Sequence, residues 1–262
     1  MKRIEFNWHH QVLNVAQMRY DPAMRRIWPW PSVLLEKVAS WIKSLSEELW
    51  LDAACGDGQL ADLLGKHKKI IGLDIEKQRL IRARSHSYLS LIQGSITSLP
   101  FANESLSGIA CIETLEHIVD MPAALEEFSR CLQPNGYLVI SMPSVTLRSL
   151  SQMRRLKKPV YCAPKEHVRE LSFIPIQGFP NRFKTWAWLE RWTSKYGFKS
   201  IRQGGVGYLF PMREGKMAWL EHIMNIFYLE KVNKLLGKLP IVRNYPYYCI
   251  YMFRRKKNKQ GF

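Results

Sequence analysis

The chain has 262 residues and a mass of 30.7 kDa, which suits one elaborated domain. Hydrophobic residues make up 47% and charged residues 23%, a balance that excludes a wholly disordered chain. The net charge of +17 is unevenly placed, because residues 1–145 hold 15 Lys and Arg against 16 Asp and Glu, whereas residues 146–262 hold 24 against 6. The C-terminal part therefore predicts contact with an anionic partner, such as a membrane face, a nucleic acid or a phosphorylated substrate; plain solubility is the alternative.

The five cysteines are odd in number and widely spaced, and no Cys-x-x-Cys pair occurs. This argues against a zinc ribbon or a disulfide framework and predicts a reducing, cytoplasmic compartment. Residues 1–10 lack the apolar core of a secretory signal. No run of 18 apolar residues occurs, so we expect no transmembrane helix.

The predicted elements begin with an N-terminal arm and a helix at 32–48, where apolar side chains recur on one face. Strands and helices then alternate. The predicted strands are 49–53, 70–74, 88–93, 106–112 and 137–142, and the predicted helices between them are 59–65, 76–85 and 122–132. This alternation predicts an α/β fold with a parallel sheet.

After Pro143 the alternation stops, and the next segment is basic and contains prolines. A helix at 184–196 and a strand at 197–206 return to the core, and a last strand is predicted at 245–253. We divide the chain into an arm and helix (1–47), a core (48–143), a basic insertion (144–184), a core helix and strand (185–206), a cap insertion (207–244), and a last strand with a basic tail (245–262).

A glycine-rich turn, Cys55-Gly56-Asp57-Gly58, follows the first strand and leads into a helix. Such a turn cradles anions and nucleotides, because glycine lets the backbone approach a ligand and the helix N-terminus offers free N–H groups. One interpretation is a dinucleotide fingerprint, Gly56-x-Gly58-x-x-Ala61, with Asp74 placed to hold a ribose. Tyr161 and Lys165 would then mimic a dehydrogenase dyad, but Pro164 breaks the helix that their spacing requires.

A second interpretation accounts for more of the chain. The run 49–58 resembles motif I of the class I S-adenosylmethionine-dependent methyltransferases, usually LDxGCGxG. Six further stretches resemble, in family order, the second motif, the QGDAxxLPF segment, the motif after strand 4, LKPGGxL, HxRxFS and the GF before strand 6. They are Ile71–Ile75, Gln93–Phe101, Cys111–His117, Leu132–Leu138, Glu166–Ser172 and Tyr196–Phe198. This ordered set is a stronger signal than one glycine loop.

The resemblance implies a Rossmann-like α/β fold with a seven-stranded, mostly parallel sheet, helices on both faces and an antiparallel last strand. It implies S-adenosyl-L-methionine as cofactor, with Asp52 holding the methionine amino group, Asp74 the ribose hydroxyls, and Ile96 meeting the adenine through its backbone N–H and side chain. The implied cofactor-binding residues are Asp52, Ala54, Cys55, Gly56, Gly58, Asp74, Ile75, Ser95, Ile96 and Glu113. The structural alternatives are a strand-end cap for Asp52 and a helix N-cap for Asp74.

Three residues depart from the family pattern. Ala54 replaces the first glycine of the loop and fits there if its φ is negative. Ser95 replaces the usual Asp beside the adenine amine but still offers an acceptor, and Asn135 replaces a glycine where Asn tolerates left-handed backbone. The first two departures leave open a binding protein that kept the fold and lost the chemistry.

Methyl transfer from a sulfonium needs mainly in-line alignment, and a base only if the acceptor must lose a proton. His117 and His167 are the candidate bases, with a structural loop histidine as the alternative for His167. Glu113, Glu116 and His117 would share one face of a helix, and the string resembles that of ubiquinone-pathway O-methyltransferases, where it is associated with a divalent metal. We favour a site without metal, because spacing alone is only a hypothesis.

Two features of the sequence bear on the acceptor: a tetrapeptide motif that is missing after strand 4, and the composition of the two insertions. Amine methyltransferases that act on adenine or Gln place an Asp/Asn-Pro-Pro-aromatic tetrapeptide after strand 4, whereas this chain has Ile112-Glu113-Thr114-Leu115, which argues against the nucleobase-amine class. We expect methylation at oxygen. The two insertions are aromatic and cationic where the family builds its acceptor cover, which predicts a small, isoprenoid or lipid-linked, or glycan acceptor. Segment 216–238 and the basic tail suit peripheral membrane contact, with an ordinary cap helix and a solvated terminus as alternatives. An RNA methyltransferase is the other alternative, although no RNA-binding module is recognisable.

Overall fold

The computed structural model describes residues 30–46, 49–65, 68–118, 120–143, 185–207, 235–239, 246 and 248–256. The predicted arm, the basic insertion and most of the cap insertion and basic tail lie outside these residues. The same holds for Tyr161, Lys165 and His167, and for the side chain of His117.

The described elements follow the predicted alternation of strands and helices. In chain order they are α1 (Trp30–Lys43), β1 (Leu49–Ala53), α2 (Gln59–Leu64), β2 (Lys69–Asp74), α3 (Lys77–Ala83), β3 (Ser90–Gln93), β4 (Leu106–Ile112), α4 (Met121–Cys131), β5 (Leu132–Pro143), α5 (Thr185–Lys195), β6 (Phe198–Val206) and β7 (Tyr248–Arg255). A short 3₁₀ turn, Leu115–His117, lies between β4 and α4. Most bounds agree with the prediction within three residues.

The strands form one seven-stranded sheet in the order β3-β2-β1-β4-β5-β7-β6. Strands β1 to β5 pair in parallel, whereas β7 runs antiparallel to both of its neighbours, β5 and β6. This confirms the predicted seven-stranded sheet with an antiparallel last strand.

Two hydrophobic clusters cover the two faces of the sheet. Trp50 is fully buried against α1 and α2, and its indole lies over Gly108 of β4 so closely that a Cβ there would come within 2.4 Å of a ring carbon. Leu51 and Ala53 point to the opposite face, where they pack with α4 and α5. Successive residues of a strand face opposite sides, so the alternation in β1 fills both layers.

Strand β5 differs most from its predicted bounds, because it begins at Leu132 rather than at residue 137. Leu132 pairs with Leu106, and the register then shifts before Gly108 pairs with Tyr137. Asn135 lies within the shift with φ 66°, as the prediction of tolerated left-handed backbone requires. Tertiary pairing thus carries the strand through a Pro-Asn-Gly sequence that in isolation predicts a turn.

Helix α1 ends at Lys43, five residues before its predicted end, in a turn where Ser44 and Leu45 donate to carbonyls of the last helical turn. Strand β7 runs to Arg255, two residues beyond its predicted end, because Arg255 still pairs with Phe198. No helix in the described ranges is both long and apolar enough to cross a bilayer.

Candidate cofactor site

The predicted site residues gather at one edge of the sheet, where the parallel strands β1, β2 and β4 end. Residues 54–58 follow β1, residues 75–76 follow β2, and residues 113–118 follow β4. These three strands are neighbours, and the crevice beyond the carboxyl ends of such strands is the usual ligand site of an open α/β sheet.

The glycine-rich turn contains three left-handed residues: Ala54 at φ 63°, Gly56 at φ 57° and Gly58 at φ 101°. The condition of a negative φ, under which Ala54 was expected to fit without strain, is therefore not met. The backbone turns sharply after β1 so that the Cys55 N–H can donate to the Leu73 carbonyl, 2.9 Å away. An alanine in this conformation costs roughly 1–2 kcal/mol.

The two glycines of the turn serve different purposes. A Cβ on Gly58 would lie 2.7 Å from a carbon of His86 and 3.1 Å from Ala83, so this glycine lets α2 begin close against α3. A Cβ on Gly56 would meet only the end of the Arg79 side chain, at 3.2 Å. Gly56 therefore suits close approach by a ligand, whereas Gly58 is required by packing.

Asp74 ends β2 and is 5% exposed. Its Oδ2 accepts the Gly56 N–H and its Oδ1 accepts the Glu76 N–H, both at 2.9 Å. The carboxylate thus fixes the glycine-rich turn and the chain entering α3. A carboxylate oxygen has two lone pairs, so each oxygen can still accept a hydroxyl from a ribose.

Asp52, the fourth residue of β1, is buried beside the turn. The Tyr88 hydroxyl donates to its Oδ2 at 2.6 Å. Burial raises the pKa of Asp52 to about 7, the hydrogen bond from Tyr88 opposes that rise, and the nearby Asp74 carboxylate adds to it. Near neutral pH the side chain therefore exchanges between its protonated and ionised forms.

A buried ion pair that the sequence analysis missed holds the middle of the turn. Asp57 is 6% exposed, and its Oδ1 lies 2.8 Å from a guanidinium nitrogen of Arg82 in α3. The sequence shows an acid between two glycines and, on α3, two arginines three residues apart. Which arginine pairs with the acid depends on how α2 and α3 pack. This pair adds a third link between the turn and α3.

The segment after β3 was predicted to meet the adenine. Ser95 Oγ accepts the Thr97 N–H at 3.2 Å, so its acceptor already closes a local turn. The Ile96 side chain is 5% exposed and packs in the core beside α4, and its contact with the adenine stays a prediction. Ile75 is 71% exposed, so it is the apolar side chain of this edge that a ring can cover.

An Arg–Glu pair on α4 fixes this segment, and sequence reasoning missed it. Arg130 donates to the Leu99 and Phe101 carbonyls at 3.0 and 2.8 Å, and Glu127 accepts the Leu99 N–H at 2.6 Å. The hydrogen bond from Arg130 also holds the pKa of Glu127 below its usual range. The i,i+3 spacing of Glu127 and Arg130 is visible in the sequence, but the backbone groups that the two side chains bind are not.

The motif after β4 does not form the continuous helix face that the metal hypothesis required. Glu113 precedes the 3₁₀ turn with φ 50°, and its N–H and Oε1 bind Ser141 at the end of β5, with Oε1 2.8 Å from Ser141 Oγ. Glu116 is buried and raises the pKa of the Cys111 thiol, after burial itself. Among the described residues no three His, Cys, Asp or Glu side chains are grouped to hold a metal ion.

The sequence of the chain is similar to a family of methyltransferase domains and to named methyltransferases. Residues 51–140 match the family model described as a methyltransferase domain. The chain is 28% identical over 114 residues to the ubiquinone biosynthesis O-methyltransferase of Alkalilimnicola ehrlichii, covering 41% of this chain and 46% of that protein. It is 28% identical over 152 residues to the chloroplastic 2-phytyl-1,4-beta-naphthoquinone methyltransferase of Arabidopsis thaliana, covering 53% and 56%. The matches span only about half the length of these relatives.

Solved structures share the fold at low sequence identity. An S-adenosylmethionine-dependent methyltransferase from Thermotoga maritima superposes with a TM-score of 0.57 at 15% identity, covering 95% of this chain and 99% of that one. Magnesium protoporphyrin IX methyltransferase from Synechocystis PCC 6803, solved with bound SAH, gives 0.54 at 14% identity, covering 94% and 95%. These likenesses establish the fold and leave the acceptor open.

Replacing Ala54 with glycine is expected to stabilise the protein by about 1 kcal/mol, because glycine adopts φ 63° without the Cβ strain. The matched control is Ala61→Gly in α2, which is expected to destabilise by about 1 kcal/mol or more because the backbone there is helical. Urea unfolding measures both. Equal destabilisation by the two changes would contradict the strain at Ala54.

Asp52→Asn is expected to stabilise the protein at pH 8 and to have little effect near pH 4. The carboxyl has an ordinary pKa of 3.8 when unfolded and about 7 when folded, so the cost of burying it grows between those values as pH rises. At about 1.4 kcal/mol per pKa unit, the gain at pH 8 is on the order of 2–4 kcal/mol. Urea unfolding from pH 4 to 8 measures it, and a gain independent of pH would disprove the assigned cause.

Proposed function

We propose that this chain, whose residues 51–140 match the model of a methyltransferase domain, is an S-adenosylmethionine-dependent methyltransferase that transfers a methyl group to an oxygen of a small, lipid-like or glycan acceptor. The observation that carries the proposal is the pair of buried carboxylates, Asp52 and Asp74, beside the left-handed Gly56. Two such acids next to an open glycine suit a ligand that carries both an ammonium group and a ribose.

The residues of this edge fit the cofactor without rearranging the strands. Asp74 keeps lone pairs free for the ribose hydroxyls, Gly56 leaves room on its open side, and Ile75 offers an exposed apolar surface to the adenine. Asp52, once ionised, is placed to hold the ammonium group of the methionine moiety. When bound, S-adenosylmethionine supplies an activated methyl group on a sulfonium.

The acceptor side of the proposal depends on histidines and on names carried by relatives. His117 belongs to the 3₁₀ turn directly after β4, at the same edge, and we propose its imidazole or that of His167 as the group that takes a proton from the acceptor hydroxyl. Matched relatives are named for ubiquinone and naphthoquinone substrates, which supports a hydroxylated, isoprenoid-bearing acceptor. Methylation at oxygen stays a prediction.

Membrane contact stays a proposal as well. In the part of the predicted cap segment that the structure describes, Leu235 is 62% and Leu239 is 45% exposed. Exposed apolar side chains among lysines suit a lipid interface. Contact of this kind would bring a lipid-like acceptor to the protein.

Calorimetric titration with S-adenosylmethionine and S-adenosylhomocysteine tests the cofactor site. We expect wild-type binding to weaken about 10- to 100-fold or more in Asp74→Ala, because bonds to a charged acceptor are lost. Glu190→Ala, an exposed change on α5, is the matched control and is expected to bind like wild type. Absence of binding to a folded wild-type protein would overturn the cofactor assignment.

Methyl incorporation from radiolabelled S-adenosylmethionine tests the acceptor class. Purified protein is incubated separately with a total lipid extract, a glycan fraction and total RNA, and we expect label in the lipid fraction. Label in RNA alone would replace the proposal with an RNA methyltransferase. Cofactor binding without label in any fraction would favour a binding protein that has lost the chemistry.

A further inference from the structure

Tyr88 lies between α3 and β3, outside the motifs that predicted the site. Its side chain is partly buried and packs against the hydrophobic cluster that contains Trp50, and its hydroxyl donates to Asp52 Oδ2 at 2.6 Å. Space for the ring comes from Gly72 in β2, where a Cβ would lie 3.0 Å from Tyr88 Cε1. The phenol is therefore built into the wall of the site.

The groups that face this contact are mostly acidic or neutral. The Asp74 carboxylate at the end of β2 raises the pKa of Asp52, and the Asp52 charge raises the pKa values of the Cys55 and Cys111 thiols. The Asp62 carboxylate of α2 adds to the rise in the pKa of Tyr88. Burial and the Asp52 charge raise the pKa of Tyr88, so its hydroxyl remains a donor throughout the physiological range. Tyr88 thus favours the ionised form of Asp52 in a setting that otherwise disfavours it.

We propose that Tyr88 is a positioning residue that holds the Asp52 carboxylate for the ammonium group of the cofactor and thereby sets the pH below which cofactor affinity is lost. This inference rests on the proposed function, because it assumes that the cofactor amino group meets Asp52. Tyr88 acts through Asp52 and need not touch the ligand.

The direction of the pH effect follows from the charge on Asp52. An ammonium group binds the ionised carboxylate, so affinity falls as pH drops through about 7, where Asp52 takes up its proton. Removing the Tyr88 hydroxyl takes a donor from the ionised form and moves this transition to higher pH. The fold-loss of affinity is then largest at and below neutral pH and shrinks in mild alkali, where Asp52 ionises without help.

The test is the affinity of Tyr88→Phe for S-adenosylhomocysteine between pH 5.5 and 8.5, measured by calorimetry against wild type. We expect about a 10-fold loss at pH 7, as for a lost bond to a charged group, narrowing to within about threefold at pH 8.5. Titration of the ligand's own amino group affects both proteins equally and cancels in the ratio. Tyr137→Phe, whose ring lies under Arg254 four residues before Ser141 in β5, is the control and is expected to match wild type at each pH.

A second measurement works without ligand. The ¹³Cγ signal of Asp52, assigned by its absence in Asp52→Asn, is followed with pH in wild type and in Tyr88→Phe, and we expect the midpoint to rise in the variant. The proposed role of Tyr88 is wrong if wild type binds but the ratio of wild-type to Tyr88→Phe affinity is the same at every pH. It is also wrong if the titration midpoint of Asp52 is the same in both proteins. If wild type does not bind at any pH, the proposed function fails, and with it the cofactor role of Asp52.

Discussion

The site depends on the Asp74 carboxylate and the two backbone N–H groups that it accepts. Because Gly56 and Glu76 donate to separate oxygens, one buried side chain fixes both the glycine-rich turn and the start of α3. The Asp57–Arg82 pair and the Tyr88–Asp52 hydrogen bond add two further links between the turn and neighbouring segments. A buried carboxylate is tolerated only when it is well bonded, so these contacts form together and hold the turn ready for a ligand.

The sequence predicted what depends on local pattern. Strand β4 was placed at its observed bounds, and the acids at the ends of β1 and β2 were identified from their order in the motif set. Contacts between distant segments were not predictable in this way. Tyr88 meets Asp52 across 36 residues, and Arg130 reaches Phe101 across 29, so each pairing exists only once the helices have packed on the sheet.

Ala54 shows why motif reasoning can place a residue and still miss its conformation. The resemblance located Ala54 at a glycine position, but φ is set by the turn that the Cys55–Leu73 hydrogen bond demands, not by the residue that occupies it. A left-handed alanine persists only where surrounding contacts over-determine the backbone, and such strain is common at ligand sites. The departure from glycine is therefore compatible with a well-formed site and does not by itself favour a degenerate one.

Charge is separated along the strands, and this bears on the acceptor. Acids lie at the site edge after β1, β2 and β4, two of them paired with arginines, whereas four exposed cations, Lys195, Lys199, Arg254 and Lys256, lie at the opposite end of the sheet. An acidic edge attracts a cationic cofactor and repels a polyanion. RNA held by these four cations would sit a full strand length from the turn. A polyanionic acceptor held by these four cations would therefore not reach the turn, whereas a neutral, lipid-like acceptor does not depend on them.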